Sequence, residues 1–190
     1  MSWRVAAVVL AALGVAATGY ALTGRPDLPA RPAPKAPLDP RFTPEAEKAR
    51  ATLLEDLGDV GAWITLSNAL IREGRTQLAV EAMEQATRAI PGEVDLWVQL
   101  GVALVTHAEG EVVPAARLAF DRAARLDPGH PAPRYFLGLA WLQAGRPKEA
   151  LEVWRALQAE TPPDAPWAGQ LKRMLAAAEA MRLMGVGEES

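Results

Sequence analysis

From residue 43 onward, apolar residues return every three or four positions, the period of a helix with one covered face. Ala46, Ala49, Leu53, Leu54 and Leu57 make the first stripe, which stops at Gly58-Asp59. Thr43-Pro44-Glu45 ahead of it supplies a cap, a proline suited to the first helical position and a first-turn acid. Further stripes are interrupted at Glu73-Gly74-Arg75, Glu109-Gly110-Glu111 and Ala144-Gly145-Arg146-Pro147. The last carries Trp167, Leu171, Met174, Leu175, Ala178 and Met181 against a polar face of Gln170, Lys172, Arg173, Glu179 and Arg182, and Asp164-Ala165-Pro166 reads as its start. The pattern predicts about eight helices and no strand.

The stripes repeat one another. Trp63-Ile-Thr-Leu66-Ser67 is answered 34 residues later by Trp97-Val-Gln-Leu100-Gly101, and Leu137-Gly138 opens a third copy. Downstream come Ala79, Met83 and Ala86; Ala116, Phe120 and Ala123; Ala150, Trp154 and Leu157; and Pro91, Pro128 and Pro162 close the copies. This is the tetratricopeptide-repeat (TPR) signature. The expected fold is all-α, a TPR right-handed superhelix over residues 43–184. Three repeats are expected at about 60–93, 94–130 and 131–164, with a flanking helix before them and a capping helix at 165–184, which an open-ended stack needs for solubility. Repeat two is 37 residues long, its three extra residues falling between Leu104 and Ala116. Trp63, Leu66, Ala79, Met83, Trp97, Leu100, Phe120, Leu137 and Trp154 are the expected core.

The first 42 residues differ in kind. Val5–Leu22 is a run of eighteen residues without a charge. At helical rise it reaches about 27 Å, enough to cross a hydrocarbon core. An uncleaved anchor (residues 1–23) and a cleaved signal peptide both fit, and the length of the run favours the anchor. The short tail Met1–Arg4 suits export, so the expected location is the inner membrane, single-pass, with the domain in the periplasm. Residues 24–42 form a proline-rich spacer; seven prolines stand from Gly24 to Pro44, Pro44 included. Residues 185–190 are expected to be a tail.

Charge and composition exclude much. Residues 1–41 carry net +3 and residues 42–190 net −6, which argues against nucleic acid as a partner. There is no cysteine, and the three serines are Ser2, Ser67 and Ser190, so neither a thiol nor a serine nucleophile is available. His107 and His130 lie in different turns, too few and too far apart for a metal or haem site. No enzyme and no cofactor are expected.

In a TPR stack the first helix of each repeat lines the inner wall, at about positions 2, 5, 9, 12 and 13 of the frame. Here the candidate groove is Ile64, Asn68 and Ile71, then Val98, Val102 and Val105, then Tyr135, Leu139 and Leu142. Modules that clamp an acidic C-terminus place lysine and asparagine at these positions, and Asn68 alone matches. An apolar wall suits the nonpolar face of a short amphipathic helix. A second reading has the groove filled from within, by the helix after Pro166 or by the Thr43–Leu57 helix.

The stretch from His107 to Ala178 carries a more specific likeness: the lengthened turn, Ala115-Ala-Arg-Leu-Ala-Phe-Asp-Arg-Ala-Ala-Arg-Leu-Asp-Pro-Gly-His-Pro131, Leu137-Gly138, Ala150 with Trp154, and Pro162-Pro163-Asp164-Ala165-Pro166. Together with Tyr20-Ala-Leu-Thr-Gly-Arg-Pro-Asp-Leu-Pro29, it resembles the periplasmic TPR subunit of the bacterial cytochrome c maturation machinery, the CycH/CcmI type. The resemblance implies binding of the C-terminal helix of apocytochrome c and its presentation for haem ligation, with apocytochrome c and haem-ligation complex subunits as partners. Two departures stand out: the family's long form has a second membrane helix and cytoplasmic loop ahead of this region, and Arg134 replaces the aromatic that opens repeat three. The alternative is a TPR scaffold that organises an envelope or secretion complex through protein contacts alone.

Overall fold

The computed structural model describes residues 42–185. The apolar run Val5–Leu22, the rest of the proline-rich spacer and residues 186–190 lie outside them. Eight α-helices and no strand make up the described residues: α1 (Pro44–Glu55), α2 (Val60–Arg72), α3 (Thr76–Ala89), α4 (Val94–His107), α5 (Pro114–Leu126), α6 (Ala132–Gln143), α7 (Pro147–Glu160) and α8 (Ala168–Leu183).

Local chemistry sets the helix ends. Thr43 caps α1 by accepting from the Ala46 N–H at 3.3 Å, with Pro44 in the first turn. Asp59 caps α2 in the same way, accepting from Ala62 N–H at 2.8 Å. The turns α2–α3 and α6–α7 each take three residues and pass through a left-handed glycine, Gly74 (φ 72°) and Gly145 (φ 69°). The α4–α5 turn takes six, residues 108–113, and turns through Glu109 (φ 57°) and Gly110 (φ 97°). The extra residues of repeat two are absorbed there. α8 begins at Ala168, later than Asp164-Ala165-Pro166 suggests; residues 162–168 form turns closed by Ala165 N–H to Pro162 O and Ala168 N–H to Ala165 O.

Each helix packs on the next, and the first helices α2, α4, α6 and α8 also pack side by side. The second helices α3, α5 and α7 do not touch one another. The core is therefore a chain of three overlapping clusters, over α1–α5, α4–α6 and α6–α8, joined by shared residues such as Trp97, Leu104, Val112 and Leu137. Close approach depends on a small residue in each first helix. A Cβ at Gly101 would stand 2.7 Å from the Phe120 ring, and one at Gly138 would overlap the Trp154 indole. Phe120 and Trp154 are fully buried.

A second device fixes the start of each first helix. Trp63 Nε1–H donates to Leu57 O, and Trp97 Nε1–H to Pro91 O, both at 2.9 Å and both six residues back. In repeat three Arg134 does the same work: its Nη2 donates to Pro128 O at 3.1 Å, again six residues back, and to Glu160 Oε2 at 2.7 Å. The guanidinium keeps the main-chain bond that the indole makes elsewhere. It also holds the Glu160 carboxyl below the usual carboxylate range.

Two expectations about packing need correction. Leu54 and Leu57 do not join the stripe of α1, being 89% and 59% exposed. α1 has a single helical neighbour, α2, which covers Ala46, Ala49 and Leu53; Leu54 is turned away, and Leu57 lies past the helix end. Trp97 and Leu137 are only part-buried, because they stand at the seams between clusters. Where the chain enters the domain, Phe42 is held between Arg50 and Arg75, with guanidinium carbons 4.6 and 3.9 Å from its ring centre. The Thr43 N–H donates to Glu73 Oε1 at 3.0 Å, and Thr43, through its side chain first and this main-chain bond after it, keeps the Glu73 carboxyl below its ordinary value.

The packing sets the cost of two substitutions. Alanine is the better helix former by about 1 kcal/mol, yet Gly101→Ala should destabilise the domain by roughly 1–3 kcal/mol, since the Phe120 ring has no room to retreat. Thermal unfolding would show it, and Gly169→Ala, whose methyl meets only Arg173 Nη1 at 3.8 Å, should show no loss. Arg134→Met should melt below the wild type at neutral pH. Glu160 titrates below its unfolded value, so the ion pair contributes above that value and is lost as pH falls through the folded one. The gap between the two melting curves should narrow below about pH 4 without closing, because the bond to Pro128 O does not titrate.

Candidate functional site: the inner wall

The side-by-side packing of α2, α4, α6 and α8 makes these helices one continuous face. Of the nine candidate groove residues, Asn68 is exposed and Ile64, Ile71, Val102, Tyr135, Leu139 and Leu142 are part-buried. Val98 and Val105 are not on an open surface. At 5% and 4% exposure they belong to the middle core cluster, with Ala116, Phe120, Ala123 and Ala140. The spacing of the repeat places them on the open wall, but α6 lies close enough alongside α4 to cover them.

The wall changes character along the stack. At α2 and α4 amide side chains stand among Ile64, Ile71 and Val102. Gln99 Nε2 donates to Ser67 Oγ at 3.1 Å and to Asn68 Oδ1 at 2.9 Å, which commits the Asn68 oxygen and leaves its amide hydrogens outward. At α6 it is aromatic and aliphatic. Tyr135, Leu139 and Leu142 pack against the last core cluster beside Trp167, Met174 and Leu175. α8 sits where the first helix of a further repeat would sit, and so covers part of α6 without filling the wall.

Tyr135 is the hub of this end. Its ring meets Phe136 edge-on at 5.5 Å and lies 6.2 Å from Trp154, whose Nε1–H donates to Tyr135 O at 3.0 Å. Tyr135 also lines a cavity of about 300 Å³ with Pro131, Ala132, Phe136, Trp167 and Gln170. Gln170 Nε2 donates to Tyr135 Oη at 3.3 Å, and Gln170 Oε1 accepts from Arg173. Only Tyr135 of these was a candidate from the sequence. Trp167 reads there as part of a helical stripe, yet it precedes the helix and closes the cavity from the turn.

Both histidines are engaged locally, His107 between α4 and α3 and His130 at the head of α6 beside the cavity. His130 Nδ1 accepts from the Ala132 N–H at 3.3 Å, and His107 Nδ1 lies 3.0 Å from Thr76 Oγ1.

Comparison with known proteins agrees with this architecture. Tetratricopeptide-repeat family profiles match residues 64–131 and 113–175. The chain is 32% identical over 159 residues to the cytochrome c-type biogenesis protein CycH of Rhizobium meliloti strain 1021, covering 83% of this chain and 42% of that protein. It is 38% identical over 109 residues to CycH of Bradyrhizobium diazoefficiens, covering 57% of this chain and 30% of that one. The chain thus spans well under half the length of these relatives. Among solved structures, a thermophilic TPR protein of Thermus thermophilus superimposes with a TM-score of 0.60 at 23% identity, over 71% of each chain. The chain belongs to the tetratricopeptide-repeat family and is a relative in sequence of the CycH cytochrome c-type biogenesis proteins.

Proposed function

We propose that this protein is a membrane-anchored, periplasmic TPR chaperone of cytochrome c biogenesis, which holds the C-terminal helix of apocytochrome c on its inner wall and presents it for haem ligation. The observation that carries the reading is a part-exposed apolar wall of Val102, Tyr135, Leu139 and Leu142 in a chain related to CycH. An amphipathic helix lays its apolar face on such a wall. Burial contributes about 25 cal/mol per Å². Ordering an unfolded segment costs several kcal/mol, which leaves an affinity near micromolar, weak enough for release. The absence of cysteine supports the same role, since a holder of a thiol-bearing haem-attachment segment must avoid mixed disulfides. The partners are then apocytochrome c and subunits of the haem-ligation complex, and Val5–Leu22 ties the chain to the inner membrane.

Leu139→Asp sets a charge against the ligand's apolar face. In a titration of labelled C-terminal apocytochrome c peptide, it should weaken binding about tenfold, or about 1.4 kcal/mol, at helicity matched to the wild type. Equal affinities would remove the wall from the mechanism, and no binding by the wild type would favour a scaffold of an envelope complex. For the location, protease added to spheroplasts should digest the domain while cytoplasmic proteins survive. Protection of the domain would reverse the orientation, and a mature N-terminus at Leu22 would mean a cleaved signal.

A further inference from the structure

We propose that the cavity at the head of α6 and α8 is an anchor site for a helical polypeptide that carries a bulky aromatic side chain and, one turn away, a carboxylate. This rests on the reading of the inner wall as a peptide groove and specifies what the ligand presents at its aromatic end.

The cavity of about 300 Å³ has apolar walls from Pro131, Ala132, Tyr135, Phe136 and Trp167. Sites for whole small molecules run from roughly 300 to 1,000 Å³, so this one, at the bottom of that range, has room for a bulky side chain. Its aromatic walls favour a ring over an aliphatic chain, because edge-on and offset ring contacts add to simple burial. Tyr135 and Phe136 already meet in the edge-on way, at 87° between planes.

The rim supplies the charge. Gln170 spends its amide hydrogen on Tyr135 Oη and its oxygen on Arg173, so both of its ends are engaged. Arg173 is exposed and pairs with no carboxylate among the described residues. Its neighbours differ: Arg134 pairs with Glu160, and Arg155 and Arg182 share Glu179. A guanidinium is thus left at the edge of an aromatic hole, three residues along α8 from the Gln170 that lines it. On a helical ligand, side chains four apart stand about 5–6 Å from one another, which matches the step from hole to cation. Residues 42–190 are acidic in sum, at net −6, so attraction for an acidic ligand has to come from this local match.

The test uses the full chain in nanodiscs and a fluorescein-labelled amphipathic helical peptide with a leucine stripe and Phe and Glu four residues apart. Anisotropy titrations compare it with its Phe→Ala and Glu→Gln versions, and each change should weaken binding to the wild type about fivefold or more. Arg173→Gln should abolish the preference for Glu over Gln while keeping the preference for Phe over Ala. Ala132→Leu, which fills the cavity, should do the reverse; Trp167→Ala serves as a second cavity variant should Ala132→Leu unfold. If the three peptides bind the wild type equally, or if Arg173→Gln weakens the Glu and Gln peptides alike, the anchor site is overturned. Leu139→Asp in the same assay separates the two readings. Binding that depends on Leu139 but not on Phe or Glu keeps the groove and discards the anchor; the converse discards the groove alone. No binding of any peptide discards both.

Discussion

Bare backbone in the first helix of a repeat lets a ring from the second helix lie directly on it, and the rest of this domain is arranged around that approach. Gly101 receives Phe120 and Gly138 receives Trp154. With the pair drawn this close, the ring is wholly enclosed and its repeat needs only its neighbours to complete the core. The distance between the two helices of each repeat follows from the same approach. So does the aromatic cavity, whose floor is the Tyr135 that Trp154 holds by its main-chain oxygen.

Most of the architecture was readable in the chain because repeats encode it twice or three times over. A tryptophan, a Leu-small pair, an alanine, a large apolar residue and a closing proline at fixed offsets leave little freedom, and the left-handed turns at Gly74 and Gly145 fall where the stripes break. What escaped reading depended on neighbours rather than on period. Leu53 and Leu54 are alike to a periodicity argument, and only the lone neighbour of α1 decides which is covered. Val98 and Val105 have the wall's register, but the tightness of the α4–α6 seam buries them. The cavity was invisible for another reason: it joins Pro131 and Tyr135 to Trp167, which lies in an irregular turn where no periodicity applies. The arginine at position 134 looked like a defect of the repeat, yet a guanidinium reaches the same carbonyl as an indole.

The inner wall is consequently not one surface but a gradient. Amide groups of Asn68 and Gln99 occupy one end and rings occupy the other, with Val102 between them. Such a wall distinguishes the two directions in which a helix could lie on it, because the ends of a helix and its apolar stripe ask for different chemistry. Under the proposed function, direction is a useful property: a segment held one way round exposes a defined remainder of its chain.

The gaps between the second helices set the mechanics of the domain. α3, α5 and α7 have no contact with one another, whereas α2, α4, α6 and α8 form an unbroken row. The unbroken row is therefore the hinge line about which the stack would flex, and the second helices, packed on first helices alone, are the parts it would carry. A domain built this way would act as a leaf spring hinged along its lining, with the Gly–ring seams as its stiff joints.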